Sequence, residues 1–468
     1  MPATRPGRVG MFGIGLAAYW PQFPGLKERL EGYQREVEAR LAAMGADVVS
    51  VGLVDTAPAA AKAGERLAAS TLDLLICYVG TYATSSQVLP IVQHAHVPVL
   101  VLNLQPSPAL DYENTDTGEW LANCSTCCVP EISNAFARAR VQFRVVSGSL
   151  RDDPVAWGEI EEWVRAAAVR RSLRTSRIGF LGHTYPGMLD MYSDFTMVTA
   201  QTGAHIEVLE MCDLDACVNA VSSAEVEAKV AITRDTFRLE NVPDADLDWA
   251  ARVAAGLDRM AEQFDLQGLT YYYRGLDGNR YEQLGAGMIL GNSLLTARGI
   301  PASGEGDLKT CLAMFILDRF GAGGSFTEFY AMDLREDFVL MGHDGPGHLA
   351  ISARKPVLRG LGLYHGKRGS GVSVEFSIRN GPVSILGMTQ TAGGSLKMVA
   401  AEGESIPGPT LRIGNTNSRL KFPQGPRQFV NAWCETGPTH HCALGIGHLR
   451  SSLRKFSELS AIPLIEVT

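Results

Sequence analysis

The chain has 468 residues, 46% hydrophobic and 20% charged, with a net charge of −8. That length exceeds one hydrophobic core and provides for about two to four domains. The acidic balance argues against nucleic acid or a membrane surface as partner, since both require clustered Lys and Arg.

From its start the chain alternates short apolar runs with helical ones. Residues Arg8 to Leu16 read as a first strand, although the two arginines and apolar run near the terminus imitate a signal peptide. No small-residue cleavage site follows, and no apolar run reaches the roughly 18 residues of a membrane span. Leu26 to Met44 carries helical periodicity, Asp47 to Val54 a second strand, and Ala57 to Leu72 a second helix. The apolar runs Asp73–Gly80 and Val97–Leu104 give two more strands, and Val141–Val146 another. Continuous apolar strands alternating with helices indicate a parallel sheet covered on both faces. Ligands of such sheets bind beyond the carboxyl ends of the strands. Trp20 and Gln22 after the first strand, and Trp120 and Asn123 after the fourth, are therefore candidate binding residues. No GxGxxG follows the first strand, which argues against a dinucleotide site.

The basic stretch Arg165–Arg177 reads as a solvated helix face beside a domain boundary. The strand–helix alternation then restarts: strands at Ile178–Gly182, His205–Glu210 and Gly268–Tyr273, with helices between and after. The loop His183–Met188, with Tyr185, and Tyr271 to Arg274 again lie at strand ends. After about Gly321 the helical periodicity gives way to short strands separated by Gly, Pro and Asn turns. These are placed at Leu358–Tyr364, Val372–Ile378, Val383–Met388, Leu396–Glu402, Thr410–Gly414 and Phe429–Cys434. They read as an antiparallel barrel or sandwich. A closing helix and a last strand at Ile462–Val467 follow. The fold class is thus α/β, with two doubly wound parallel-sheet domains (1–172 and 173–321) and a C-terminal β-barrel domain (322–468).

The nine cysteines are odd in number and show no disulfide framework, which fits reduced thiols and a cytoplasmic protein. Cys124, Cys127 and Cys128 enclose a CxxC without a matching second pair, so they read as buried or pocket-lining thiols.

The stretch Ser303–His348 holds the residues most suggestive of chemistry. Glu305 lies between two glycines where an apolar helix begins. Helix capping explains such an acid, but it does not explain Glu328 beyond the GAGG turn, nor His343 and His348 after it. Two carboxylates and two imidazoles suit a divalent cation such as Mn²⁺, Co²⁺, Fe²⁺ or Zn²⁺. Spacing alone does not define the set.

Four segments, GEGDLKT, GGSFTEFY, FVLMGH and THH, resemble in order the metal-site segments of the L-arabinose isomerases, whose superfamily includes L-fucose isomerase. The resemblance implies flavodoxin- or Rossmann-like α/β domains and a β-rich third domain. It implies Glu305, Glu328, His343 and His441 as metal ligands, with Mn²⁺ the foremost candidate. Glu305 and Glu328 would be the acid/base pair of an aldose–ketose isomerase working through an enediol. Tyr330 and Tyr273 would contact a sugar, and His440 would be a supporting or structural residue. A cytoplasmic homo-oligomer, hexameric or trimer-based with shared active sites, is also implied. The chain departs from the family early. AAYWPQFPG replaces the family's glutamine–histidine–leucine loop, and Trp120, Asn123 and Cys124 stand where a pocket histidine is expected. A non-catalytic sugar-binding protein and a metal-dependent hydrolase or epimerase are the alternatives.

Overall fold

The computed structural model describes residues 4–276, 278–360 and 371–468. The backbone clusters into two compact units. One comprises 4–172 with 451–460, the other 173–450 with 461–468.

The first unit is built on five strands: β1 (Arg8–Ile14), β2 (Asp47–Val54), β3 (Leu74–Val79), β4 (Val99–Gln105) and β5 (Phe143–Ser149). They pair in parallel in the order β2-β1-β3-β4-β5. Every residue of β3 is buried, as a strand covered on both faces requires. The helix Leu26–Ala43 buries Leu26, Leu30, Tyr33, Val37 and Leu41, the three-to-four spacing of an amphipathic helix. The strand order reverses between β1 and β3, so the loops after these two strands face the crevice where doubly wound sheets bind ligands.

The second unit begins with another parallel sheet. It contains β6 (Arg177–Gly182), β7 (His205–Leu209), β9 (Gly268–Tyr272) and β10 (Ala302–Ser303), in the order β10-β9-β6-β7. The short β8 (Arg238–Glu240) belongs instead to a three-stranded sheet with β13 (Val357–Gly360) and β14 (Val372–Glu375).

The barrel follows. Its strands are β11 (Gly323–Asp333), β12 (Phe338–His343), β15 (Gly381–Gln390), β16 (Leu396–Ile406), β17 (Thr416–Lys421) and β18 (His441–Ile446). Each is antiparallel to its neighbours, and the β15–β16 pairing closes the ring. Closure removes the exposed strand edges that an open sheet presents. β19 (Leu464–Glu466) runs parallel to β16 outside it. The fold is therefore two parallel α/β sheets and a closed antiparallel barrel.

Three strand readings differ. Phe429–Cys434 lies in a helix, Gly425–Glu435, with Pro426 in its first turn and Phe429 and Trp433 buried one turn apart. The i, i+4 pair outweighed an apolar run that also suits a strand. Thr410–Gly414 is the turn before β17. Of Leu358–Tyr364, the part to Gly360 is strand, and 361–364 lies outside the described residues.

Candidate metal centre

Glu305 follows β10 at the carboxyl end of the second parallel sheet. Its φ of 62° is left-handed, which is uncommon for a residue with a side chain, and Gly306 continues the turn at 71°. Neighbouring loops hold this turn. The Tyr185 N–H donates to the Glu305 carbonyl at 2.9 Å, and the Gly306 N–H donates to the Tyr271 carbonyl at 2.9 Å. A Cβ on Gly306 would come within 2.5 Å of the His183 carbonyl oxygen. Left-handed strain imposed by surrounding structure is typical of functional positions.

The helix Leu308–Arg319 starts next. Its cap is Asp307, which accepts from the Thr310 N–H at 3.0 Å and the Thr310 hydroxyl at 2.7 Å. The capping reading of Glu305 is thus corrected. Asp307 takes that role because its shorter side chain sits at the residue flanking the first helical turn.

The barrel brings in the remaining groups. Glu328 of β11 lies opposite His441 of β18 on one side and Gly342 of β12 on the other. A Cβ on Gly342 would lie 1.8 Å from the Thr416 carbonyl oxygen, so only glycine permits that strand approach. His343 ends β12, its N–H donating to the Thr416 hydroxyl at 3.0 Å. Beneath both imidazoles lies Phe326, fully buried, with its ring centroid 4.3 Å from each.

One donor atom each from Glu305, His343 and His441 lies within 4.8 Å of the others, and the same holds for Glu328, His440 and His441. The Nε2 atoms of His343 and His441 are 3.2 Å apart, and Glu305 Oε2 is 3.8 Å from His441 Nε2. Asp307 Oδ2 is 3.0 Å from His441 Nδ1. A proton on Nδ1 shared with this carboxylate leaves the Nε2 lone pair facing the cluster, the usual arrangement behind a metal-bound histidine. Two imidazole nitrogens about 2.0–2.1 Å from one cation, at tetrahedral or right angles, stand about 3 Å apart. The observed separation fits that requirement, and the O/N donor set suits a divalent transition metal.

The electrostatics follow from burial and partners. Burial, with Glu305 and Asp344 adding to it, pushes the Glu328 carboxyl above the ordinary range despite the opposing imidazoles of His441 and His440. Burial also pushes Asp307 up, but the hydrogen bond from His441 and the charges nearby bring it below normal. Burial lowers the Lys309 amine, against the attraction of Asp307 and Asp190. Its Nζ donates to the Met191 and Tyr192 carbonyls and to Ser193 Oγ at 2.9–3.1 Å. His440 pairs through Nδ1 with Asp190 Oδ2 at 2.7 Å. His348 is directed elsewhere, 3.3 Å from Asp318 Oδ1.

Of the remaining candidates, Tyr185, Tyr273 and Tyr330 share the unit with this cluster. Tyr185 packs on Tyr272 at 4.7 Å, and Tyr273 lies against His183 and Tyr281. The Tyr330 hydroxyl is 2.9 Å from the Asn415 side-chain amide. Burial raises its pKa, and the Asp344 and Glu328 carboxylates add to that. Trp20, Gln22, Trp120 and Asn123 belong to the other unit. There Trp20 Nε1 donates to Asp55 at 2.8 Å, Gln22 to the Ala18 carbonyl at 2.8 Å, and Asn123 to Glu119. Trp120 is exposed. Asp307, Asp344 and Phe326 escaped the sequence reading. For Asp307 a signal existed, since an Asp directly before an apolar helical run, here from Leu308, is an N-cap signal.

Residues 323–463 match the L-arabinose isomerase C-terminal domain model. The L-arabinose isomerase of Klebsiella pneumoniae is 24% identical over 410 residues, covering 83% of this chain and 80% of that protein. That of a Nocardioides species is 25% identical over 408 residues, 84% of this chain and 80% of the relative. That of Acidothermus cellulolyticus is 25% identical over 383 residues, 79% and 75% respectively. Among solved structures, an ABC transporter solute-binding protein from Agrobacterium vitis bound with alpha-D-tagatopyranose is 13% identical. It covers 64% of this chain and 92% of that one with a TM-score of 0.17, too low to carry an argument.

Proposed function

We propose that this chain, an L-arabinose isomerase-like protein, is a metal-dependent enzyme interconverting an aldose and its ketose. The observation that carries the reading is the convergence of donor atoms from Glu305, His343 and His441, joined through His441 to Glu328. His343 and His441 would hold the cation through Nε2, with Glu305 and Glu328 as the oxygen donors. The foremost candidate is Mn²⁺, for which carboxylate and imidazole are suitable ligands. When bound, the metal would supply Lewis-acid stabilisation of the negative charge that develops on the sugar oxygens.

The chain's own residues handle the protons. One carboxylate of the Glu305/Glu328 pair removes the proton from C2 of the open-chain aldose, while the other carboxyl gives a proton to O1. An enediol results. The first then returns its proton to C1, the second recovers one from the C2 hydroxyl, and the ketose forms with both groups restored. Such a pair needs environments that differ. Glu305 sits in a left-handed turn outside the barrel, and Glu328 sits on a barrel strand. Asp307 holds the His441 ring in orientation and tautomer, and Phe326 supports both imidazoles from below. The tyrosines 185, 273 and 330 would line the sugar's path.

Separate Glu305→Gln and Glu328→Gln variants test the assignment by kinetics and circular dichroism. Each should lose at least about a thousandfold in kcat, with an unchanged fold and melting temperature. Near-normal turnover in either variant contradicts the acid/base pair.

A further inference from the structure

Apart from the metal cluster, the second unit contains a cavity of about 380 Å³ framed by the three-stranded sheet and the turn between β16 and β17. Its floor is apolar, formed by Val357, Phe376 and Ile378, and prolines 407 and 409 wall one side. Among the described residues five cations line it: Arg238, Arg354, Lys355, Arg359 and Arg412. Among the same described residues only two carboxylates, Glu240 and Glu375, accompany them.

Those two are already engaged. Arg359 is 3.0 Å from Glu375 and 2.9 Å from Glu240, and Arg238 is 2.7 Å from Glu240. Glu375, itself 5% exposed, also accepts from the Gly414 N–H at 3.0 Å. Two arginines thus balance two acids and form a fixed wall. Arg354, Lys355 and Arg412 remain, and among the described residues none of these three has an acidic partner. The result is three uncompensated positive charges around one concavity, on a chain whose net charge is −8. Such a locally reversed field concentrates anions. Guanidinium forks match the oxygens of a phosphate group, and the apolar floor provides a surface for the organic part of the ligand.

We infer that this cavity binds the phosphate monoester of a small metabolite, with Arg412, Arg354 and Lys355 around the phosphate. The inference does not depend on the isomerase reading, because none of these residues belongs to the metal cluster. The experiment is calorimetric titration of the full chain with a pentose 5-phosphate, inorganic phosphate and sulfate. Wild type, Arg412→Ala and Lys355→Ala are compared, and melting curves confirm that the variants fold. The ester should bind wild type more tightly than sulfate does. Each substitution should weaken it about tenfold, the loss expected for one charge-assisted hydrogen bond. Ketose formation without ester should be unchanged in both variants. Three results overturn the inference: no ester binding to wild type, equal affinity in wild type and variants, or sulfate binding as tightly as the ester. The last would mark an adventitious ion only.

Discussion

Asp307 is the residue on which the site's geometry turns. Its carboxylate caps a helix through Thr310 and orients His441 through Nδ1, both from a fully buried position. An amide at this position could still cap, but it could present an N–H to His441 and favour the opposite tautomer. Asp307→Asn should therefore lower Mn²⁺ affinity by about 10–100-fold, with only a small change in melting temperature. Titration calorimetry with Mn²⁺ measures this, and unchanged affinity would show that Asp307 serves the helix alone. At this scale the sequence is informative about type and silent about placement. Glu305, Glu328, His343 and His441 were singled out by setting and by family resemblance. Nothing in their separations of 23, 15 and 98 residues requires them to meet. Asp344, 3.2 Å from His343 Nδ1, carries no local signal because its proximity depends on how β12 ends.

At the scale of elements, a turn and a barrel seam position the groups. The Glu305–Gly306 turn is left-handed at both residues and meets the carbonyl of His183. A side chain at Gly306 would be strained in its backbone and would press on that loop. Gly306→Ala should cost about 1–3 kcal/mol in stability and should weaken metal binding by moving Glu305. Chemical denaturation and Mn²⁺ titration together test this. A variant as stable as wild type would mean that the turn relaxes without cost. Element types were legible where periodicity was strong. The buried strands β3 and β4 and the long helix Leu26–Ala43 were placed closely. The Gly425–Glu435 helix was not, because a short apolar run with an aromatic every fourth residue fits strand and helix patterns alike. The closure of β15 on β16 was also invisible, since strand pairing is a property of registers rather than of any one segment.

At the scale of the whole molecule, the second unit joins a parallel sheet to a barrel, and both supply the candidate metal ligands. Glu305 comes from the end of the sheet, while Glu328, His343 and His441 come from three adjacent barrel strands. Short strands and turn residues indicate a barrel or sandwich after two α/β segments, and the β15–β16 pairing decides for the barrel. The sequence could not show which barrel end faces the sheet, because that depends on strand order. The substrate candidates Trp20, Gln22, Trp120 and Asn123 lie in the other unit, and the contacts found for Trp20, Gln22 and Asn123 there are internal ones. The central claim is that the four side chains hold one cation that isomerisation requires. The most direct test strips the protein with a chelator, reloads it with Mn²⁺, and measures bound metal and ketose formation from a panel of aldoses on the same samples. The account predicts a single Mn²⁺ per chain and a ketose of unchanged mass that appears only after reloading. Ketose formation persisting in the stripped protein, or no stoichiometric metal uptake, would contradict it.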